Sequence, residues 1–259
     1  MTEKVALTIV VPTLNEHVRL AGLLHDLDWA DEIIVADGGS TDGTVALAQR
    51  HGAAVVECTG RTIAAQRNAA IERARNQWIL ALDADERVPV ELRDELREVL
   101  AGPVHSAYRV RRRNFFLGRE RRRGHWGRDW QVRLFTRDRR FLDQHVHERL
   151  EPVPDTGALR TCLLHTPYRD LQHHLDKMTA YAHWGAQELY ARGRRADWWE
   201  LGFRPGWRFI YDYLGYGSCL DGTFGLLTSV LTAYSCFLKY AYLWELSGRD
   251  AAHLAPKSG

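Results

Sequence analysis

The chain has 259 residues, a formal net charge of +2 and four cysteines. That length supports one large α/β domain or a domain with an appendage, and the near-neutral charge speaks against bulk nucleic-acid binding as its main role. Cys58, Cys162, Cys219 and Cys236 are scattered and form no C-x-x-C pair, so neither a zinc knuckle nor a disulfide framework is expected, and a reducing cytosol fits.

The opening "MTEKVALTIVVPT" enters a strand-like run within a few residues and lacks the basic start and long apolar segment of a secretory signal. From there, period-two or fully apolar runs alternate with helical patterns, the mark of βαβ units on a parallel sheet. Strands are predicted at Ala6–Val11, Glu32–Ala36, Ala53–Glu57 and Trp78–Leu82, with helices at His17–Leu27, Thr44–His51 and Ile63–Arg75 between them. Leu20, Leu23, Leu24 and Leu27 share one face of the first helix. The polar residues follow the strand ends: Asn15 and Glu16, then Asp37, then Asp83 and Asp85. Ligands bind there in an open α/β sheet, so these acids are expected to converge on one site.

Pro89 opens a helix at Val90–Leu100. The stretch "SAYRVRRRNFFLGRERRRGHWGRDWQVRLF" alternates poorly and holds Gly118, Gly124 and Gly127, which predicts short strands joined by loops. From Arg109 to Arg140 basic residues far outnumber acids. That block reads as an acceptor surface for a phosphorylated, anionic glycolipid, where arginine pairs bidentately with phosphate. Its alternatives are a solvated loop, or a nucleic-acid groove using Phe115, Phe116, Trp126 and Trp130, which the acidic crevice disfavours. A helix is predicted at Leu171–Tyr190, followed by an aromatic, charge-poor region from Phe203 to Leu246 and a loose tail.

From Gly222 to Leu238 there is no formal charge, yet this run is shorter than the ~20 apolar residues a spanning helix needs. A helix lying in the membrane interface is expected instead, with a buried helical hairpin or a dimer contact as the alternative. Trp207, Tyr211, Tyr213, Tyr216, Tyr234, Tyr240, Tyr242 and Trp244 would sit at headgroup level, with Arg204, Arg208 and Lys239 on lipid phosphates.

Asp83 and Asp85 flank the small Ala84 at the end of a buried strand. Two carboxylates so placed repel, and a hard divalent cation such as Mg²⁺ or Mn²⁺, sharing its shell with substrate phosphates, would reconcile them. Aspartates that merely begin a turn are the alternative. In "ADGGSTDGT", Asp37 closes a strand, Gly38 and Gly39 permit a tight turn, and Ser40 or Thr41 can cap the next helix. Neither the Walker nor the G-x-G-x-x-G spacing is present. His145 and His147 form H-x-H-E rather than H-E-x-x-H and have no cysteine nearby, so zinc is not expected.

Taken in order, "VVPTLNE", "IIVADGGSTDGT" and "LALDADE" resemble the family 2 glycosyltransferases, whose fold is the GT-A nucleotide-sugar fold. The resemblance implies a Rossmann-like α/β domain with a mainly parallel central sheet over residues 1–165, nucleotide-binding to about 102 and acceptor-binding beyond. A helical, membrane-associating region over 166–250 and a tail over 251–259 complete the expected organisation. It further implies that Pro12, Asn15, Glu16 and Gly38 frame the nucleotide and that Asp37 contacts the uracil ring of a UDP-sugar. Arg67 and Asp83 would lie by the diphosphate, and Asp85, beside Asp83, would hold the metal.

Further on, "RLF", "VHE", "LLH" and the aromatic C-terminal stretch resemble bacterial lipopolysaccharide-core glucosyltransferases that act on an inner-core heptose. This branch implies transfer of a hexose, glucose first, from a UDP-hexose to an anionic glycolipid by a cytoplasmic enzyme held peripherally on the inner face of the cytoplasmic membrane. Inversion at the anomeric carbon needs a base for the acceptor hydroxyl, best with a raised pKa. Glu148 in "VHE" is the first choice and Asp129 in "GRDWQ" the alternative, with His147 and Arg133 as subordinate acceptor contacts. One rival is transfer to a polyprenyl phosphate carrier, which needs no base. The other is a non-catalytic membrane adaptor or nucleic-acid binder.

Overall fold

Successive residues of a pleated strand face opposite sides, and in the first strand Leu7, Ile9 and Val11 enter one buried cluster while Val10 enters another. A strand buried on both faces belongs in the interior of a sheet. That is the place of β1 (Val5–Thr13) in the computed structural model, which describes residues 4–123, 129–142 and 149–254. The chain forms two compact units, Met1–Asn114 with Arg128–Pro167, and Phe115–Gly127 with Tyr168–Gly259.

In the first unit, β2 (Ala30–Asp37), β3 (Ala54–Glu57) and β4 (Trp78–Ala81) join β1 in the order β3-β2-β1-β4, all parallel. Helices α1 (His17–His25), α2 (Thr44–Arg50) and α3 (Ile63–Arg73) make the crossovers. α1 buries Leu20, Leu23 and Leu24 on one face of the sheet, and α3 buries Ala64, Ala69, Ala70 and Ile71 on the other. Thr62 starts α3 by accepting the Ala65 N–H at 3.3 Å. α1 stops two residues before the leucine pattern does. Leu27 and Trp29 are buried from the turn that follows, where the Trp29 indole N–H donates to the Asp26 carbonyl at 2.7 Å.

Beyond β5 (Glu86–Arg87) and α4 (Val90–Ala101), the predicted short strands are instead a ten-residue β6 (Ala107–Phe116) and a seven-residue β8 (Trp130–Thr136). Val110 is buried between exposed Arg109 and Arg111, an alternation that the surrounding arginines obscure. β8 runs antiparallel between β4 and β6, β11 (Thr156–His165) lies parallel to β6, and β5 closes the edge antiparallel to β11. A small antiparallel ribbon pairs β9 (Phe141–Leu142) with β10 (Arg149–Leu150).

In the second unit, the end of β6 pairs with β7 (Arg119–Glu120). The rest is helical: α5 (Leu171–Ala191), α6 (Trp198–Ile210) and α7 (Gly222–Leu254). Asp170 and Asp197 cap α5 and α6 by accepting the His173 and Glu200 N–H groups at 2.8 and 3.0 Å. Met178, Ala182 and Ala186 repeat every four residues as the buried stripe of α5. α6 runs on through a π turn at Tyr211–Gly215 and a 3₁₀ turn at Ser218–Asp221. A Cβ at Gly225 would fall 1.8 Å from the Ser218 carbonyl oxygen, so only glycine lets α7 start against that turn. α7 continues to Leu254, four residues into the predicted tail. Among the described residues no helix is long and apolar enough to cross a membrane.

Candidate active site

The parallel register sets Thr13 beside Asp37 and Val10 beside Ala81. Three neighbouring strands therefore end together, and the loops carrying Asn15, Asp37 and Asp83 leave from one edge of the sheet. Pro12, opposite Ala36 in the register, lies just before that edge.

Asp37 is 4% exposed and accepts from four donors: Gly39 N–H (2.9 Å), Ser40 N–H (2.7 Å), Ser40 Oγ (2.5 Å) and Thr13 Oγ1 (3.1 Å). Gly39 holds φ at +105°, a region that suits glycine, and so turns its own and the next N–H back onto the carboxylate. Burial pushes the Asp37 pKa up, but the bonds from Ser40, Gly39 and Thr13 outweigh it and leave the carboxyl below its ordinary value. Asn15, at φ +56°, donates its N–H to Ser40 Oγ at 2.8 Å, and its Oδ1 accepts the Thr41 N–H at 2.8 Å. The Glu16 N–H reaches Thr44 Oγ1 at 3.0 Å and the His17 N–H reaches Asp42 Oδ2 at 3.2 Å. Two sequence motifs are thus clasped to each other. Gly38 packs where a Cβ would lie 3.0 Å from Gln66 Nε2 and 3.3 Å from the Thr13 carbonyl.

Asp83 is neutralised by arginines. Its Oδ1 accepts from Arg67, and its Oδ2 lies 2.5 Å from Arg133 Nη2 and 3.8 Å from Arg112 Nη1. Glu86, fully buried, accepts the Asp83 N–H at 2.9 Å with one oxygen and engages Arg133 (2.7 Å) and Arg112 (3.4 Å) with the other. Arg67 also lies over the Phe141 ring, 4.7 Å from its centroid. Burial raises the Asp83 pKa, but Arg133, Arg67 and Arg112 hold the carboxyl well below the usual carboxylate range.

Asp85 is placed differently. Its Oδ2 is 3.8 Å from Arg19 Nη1, and its buried Oδ1 has no hydrogen-bond partner and lies 3.5 Å from His165 Nε2. Arg19 is anchored by Glu16 at 3.5 Å and the Pro167 carbonyl at 3.1 Å. A chain of bonds fixes the imidazole. Ionised Asp129 can only accept, so Asn114 turns its amide N–H toward Asp129 Oδ2 at 3.3 Å and its Oδ1 toward His165 Nδ1 at 2.6 Å. Nδ1 then donates to Asn114, and Nε2 faces Asp85 Oδ1 at 3.5 Å. A ring nitrogen and a carboxylate oxygen so placed are held together by a proton or a metal cation between them.

That pair fits a divalent cation which keeps waters and takes the rest of its shell from substrate phosphate. Both Asp83 oxygens are already engaged by arginines, and among the described residues no three His, Cys, Asp or Glu side chains gather into a metal cage.

Of the predicted acceptor-side residues, Asp129 accepts from Arg112 Nε at 2.8 Å and Gln131 Nε2 at 2.9 Å. Burial raises its pKa, yet Arg112, Gln131 and Asn114 bring it below the ordinary value, opposite to what a general base needs. Arg133 is internal rather than on a surface. Glu148, His147 and His145 lie outside the described residues. The arginine block is not one feature: Arg112 and Arg133 belong to this network, whereas Arg121 is buried against Asp212 in the helical unit. Sequence reasoning missed Arg19, Arg112 and Asn114 as site residues. Of these only Arg19, one helical turn after Glu16, carries a local signal.

Residues 8–152 match the family model described as Glycosyl transferase family 2. The chain belongs to that family. This glycosyltransferase is 30% identical over 262 residues to "Lipopolysaccharide core biosynthesis glycosyltransferase LpsC" of Rhizobium meliloti (strain 1021), with 95% of this chain and 94% of that protein covered. It is 25% identical to an uncharacterized glycosyltransferase of Rickettsia typhi, covering 91% and 85%. Among solved structures, S. aureus TarS 1-349 in complex with UDP-GlcNAc matches at 14% identity and a TM-score of 0.50, over 94% of this chain and 92% of that one. A longer TarS chain is covered over 39% of its length. The TarS likeness establishes the fold alone, and the GT-A fold and transferase class expected from the three motifs hold.

Proposed function

We propose that this glycosyltransferase is a metal-dependent, inverting hexosyltransferase that moves glucose from UDP-glucose to a hydroxyl of a lipopolysaccharide inner-core heptose. The observation that carries the reading is Asp85, a carboxylate at the strand edge with one buried oxygen that has no hydrogen-bond partner and a histidine ring nitrogen 3.5 Å from it. The LpsC relative supports the lipopolysaccharide acceptor through its extent, since the match runs nearly end to end.

In this reading the loop clasped by Asn15 and Asp37 receives the nucleotide, with Pro12, Glu16 and Gly38 forming its rim and Asp37 reading the uracil. Asp85 and His165 hold the Mg²⁺ or Mn²⁺ ion, which when bound supplies positive charge against the departing diphosphate. Asp83 acts through the arginines it gathers: Arg67, Arg112 and Arg133 are held rigidly beside the place where phosphate charge develops, and such fixed charges cost no reorganisation during reaction. Asp129 orients His165 through Asn114. Glu148 takes the acceptor proton in this reading, while Asp129 is already engaged by Arg112, Gln131 and Asn114.

The helical unit supplies the membrane contact. Trp199, Phe203, Trp207, Ile210 and Leu214 are exposed at three- and four-residue spacing on one side of α6 and its extension, and Trp199 stacks on Phe203 at 4.8 Å. An exposed apolar stripe of this kind suits the interface of the inner leaflet. This revises the expected anchors: Tyr240 is buried, and Arg204 pairs with Glu200 at 3.0 Å.

The test is incubation of the full chain with a panel of UDP-hexoses and a heptose-bearing core acceptor, followed by mass measurement. A gain of one hexose is expected with UDP-glucose, and Glu148→Gln is expected to reduce it at least about a hundredfold, the scale of general-base catalysis. Retained activity in Glu148→Gln contradicts the hydroxyl acceptor and points to a phosphate acceptor, such as a polyprenyl phosphate, that needs no base.

A further inference from the structure

The helical unit contains a cavity of about 430 Å³ whose lining includes three cationic side chains, Arg121, Arg208 and Lys239, and no acidic one. Its size falls within the range of small-molecule sites, about 300–1,000 Å³. Two of the three are held by their surroundings. Arg121 is 6% exposed, held by Asp212 at 3.2 Å, and Asp212 is itself fully buried and bonded by Ser229 Oγ at 2.8 Å. The stem of Lys239 passes Gly185 of α5, where a Cβ would lie 3.2 Å from its Cδ. Among the described residues neither Arg208 nor Lys239 has a carboxylate within ion-pair distance, although both act on the Cys236 thiol, which lines the same cavity.

Concentrating like charges is unfavourable without a counter-charge. Burial, and after the opposing pull of Asp212 the field of Arg208, bring the Arg121 pKa below its ordinary value, and His174 is pushed down to about 4 by burial and then by Arg121 and His173. The histidine, whose Nδ1 has no hydrogen-bond partner, is therefore neutral near pH 7 and adds no further charge. Ser235 adds a hydroxyl group to the lining, whereas the Thr228 and Thr232 hydroxyls already donate to the Gly225 and Thr228 carbonyls at 3.1 and 2.8 Å. With the guanidinium of Arg208 and the ammonium of Lys239, the lining offers charged donors that match a tetrahedral anion with several free oxygens. Phe116, Met178 and Leu231 add apolar surface to the same lining, and an inorganic ion alone would leave that surface uncovered.

We propose that this cavity is a binding site for a phosphate group carried on an apolar chain, with Arg121, Arg208 and Lys239 on the phosphate and Phe116, Met178 and Leu231 on the chain. It lies wholly within the helical unit, and it stands independently of the glycosyl-transfer reading.

Calorimetric titration of the full chain tests it with three probes: dihexanoylphosphatidic acid below its micelle concentration, inorganic phosphate, and dihexanoylglycerol. Phosphatidic acid is expected to bind, and the double variant Arg208→Gln with Lys239→Gln to weaken it by at least about tenfold, the scale of one charge-assisted hydrogen bond lost. Both substituted side chains are partly exposed, so the variant's circular dichroism and melting temperature are expected to match the parent. Should they not, suppression of phosphatidic acid binding to the parent chain by inorganic phosphate decides instead. Phosphate binding weaker than phosphatidic acid is expected, and inorganic phosphate binding as tightly as phosphatidic acid overturns the role given to the apolar chain. Undiminished binding by a folded double variant, or dihexanoylglycerol binding as tightly as phosphatidic acid, overturns the proposal.

Discussion

Asp83 illustrates how much one half-buried side chain can organise when it is ringed by opposite charges, two of them buried. Its three arginines come from α3, β6 and β8, and Glu86 shares two of them. A buried pair is costly to break because the surviving charge is left without compensation, by about 3–5 kcal/mol. Arg133→Met, which takes the nearest cation from fully buried Glu86 and leaves it only Arg112 at 3.4 Å, is expected to lose up to that amount in urea unfolding at pH 7, and a loss within the scatter of surface substitutions contradicts the network. Acid offers a second check. The folded Asp83 pKa lies below its unfolded value, so its stabilisation is complete above about pH 4 and is lost as pH falls below that toward the folded value. Stability measured from pH 6 to pH 2 should fall in the parent and fall less steeply in Asp83→Asn; parallel curves contradict the assignment. The acids themselves were legible in "LALDADE", and so was their need of a cation. That the cations on Asp83 are guanidinium groups was not legible, since Arg67, Arg112 and Arg133 lie 16, 29 and 50 residues away in sequence and only the sheet order brings them together.

At the scale of elements, the first hundred residues announce themselves through burial. Strands buried on two faces read as apolar runs, and helices buried on one read as stripes, so β1 to β4 and α1 to α4 are recovered with shifts of a few residues at their ends. β6 escapes because its exposed positions are filled by arginine and its buried ones include Asn114, and β8 because it exposes Trp130 and buries Arg133, which erases the polar-apolar alternation. α6 escapes for the opposite reason: its aromatic residues are the exposed ones, so a pattern that ordinarily marks a core here marks a surface. Replacing Trp199, Phe203 and Trp207 together by serine is expected to weaken co-flotation with phosphatidylglycerol vesicles by at least about tenfold, with UDP binding unchanged. Equal flotation of parent and variant contradicts a membrane role for that stripe.

For the whole molecule, the family and its fold follow from three short motifs because those motifs are where the backbone has least freedom. Asn15 at positive φ, the turn at Gly39 and the strand-end acids are dictated by loop geometry as much as by ligand. The substrate is less legible, since hexoses differ in the orientation of single hydroxyl groups that these motifs do not address. The central claim is that Asp85 and its histidine neighbour make nucleotide binding depend on a divalent cation. Titration of UDP into the parent chain and into Asp85→Asn, each with and without Mn²⁺, measures it directly. UDP affinity should rise at least about tenfold with Mn²⁺ in the parent and show no such gain in Asp85→Asn; a UDP affinity indifferent to Mn²⁺ in the parent, or an undiminished gain in the variant, would contradict the account.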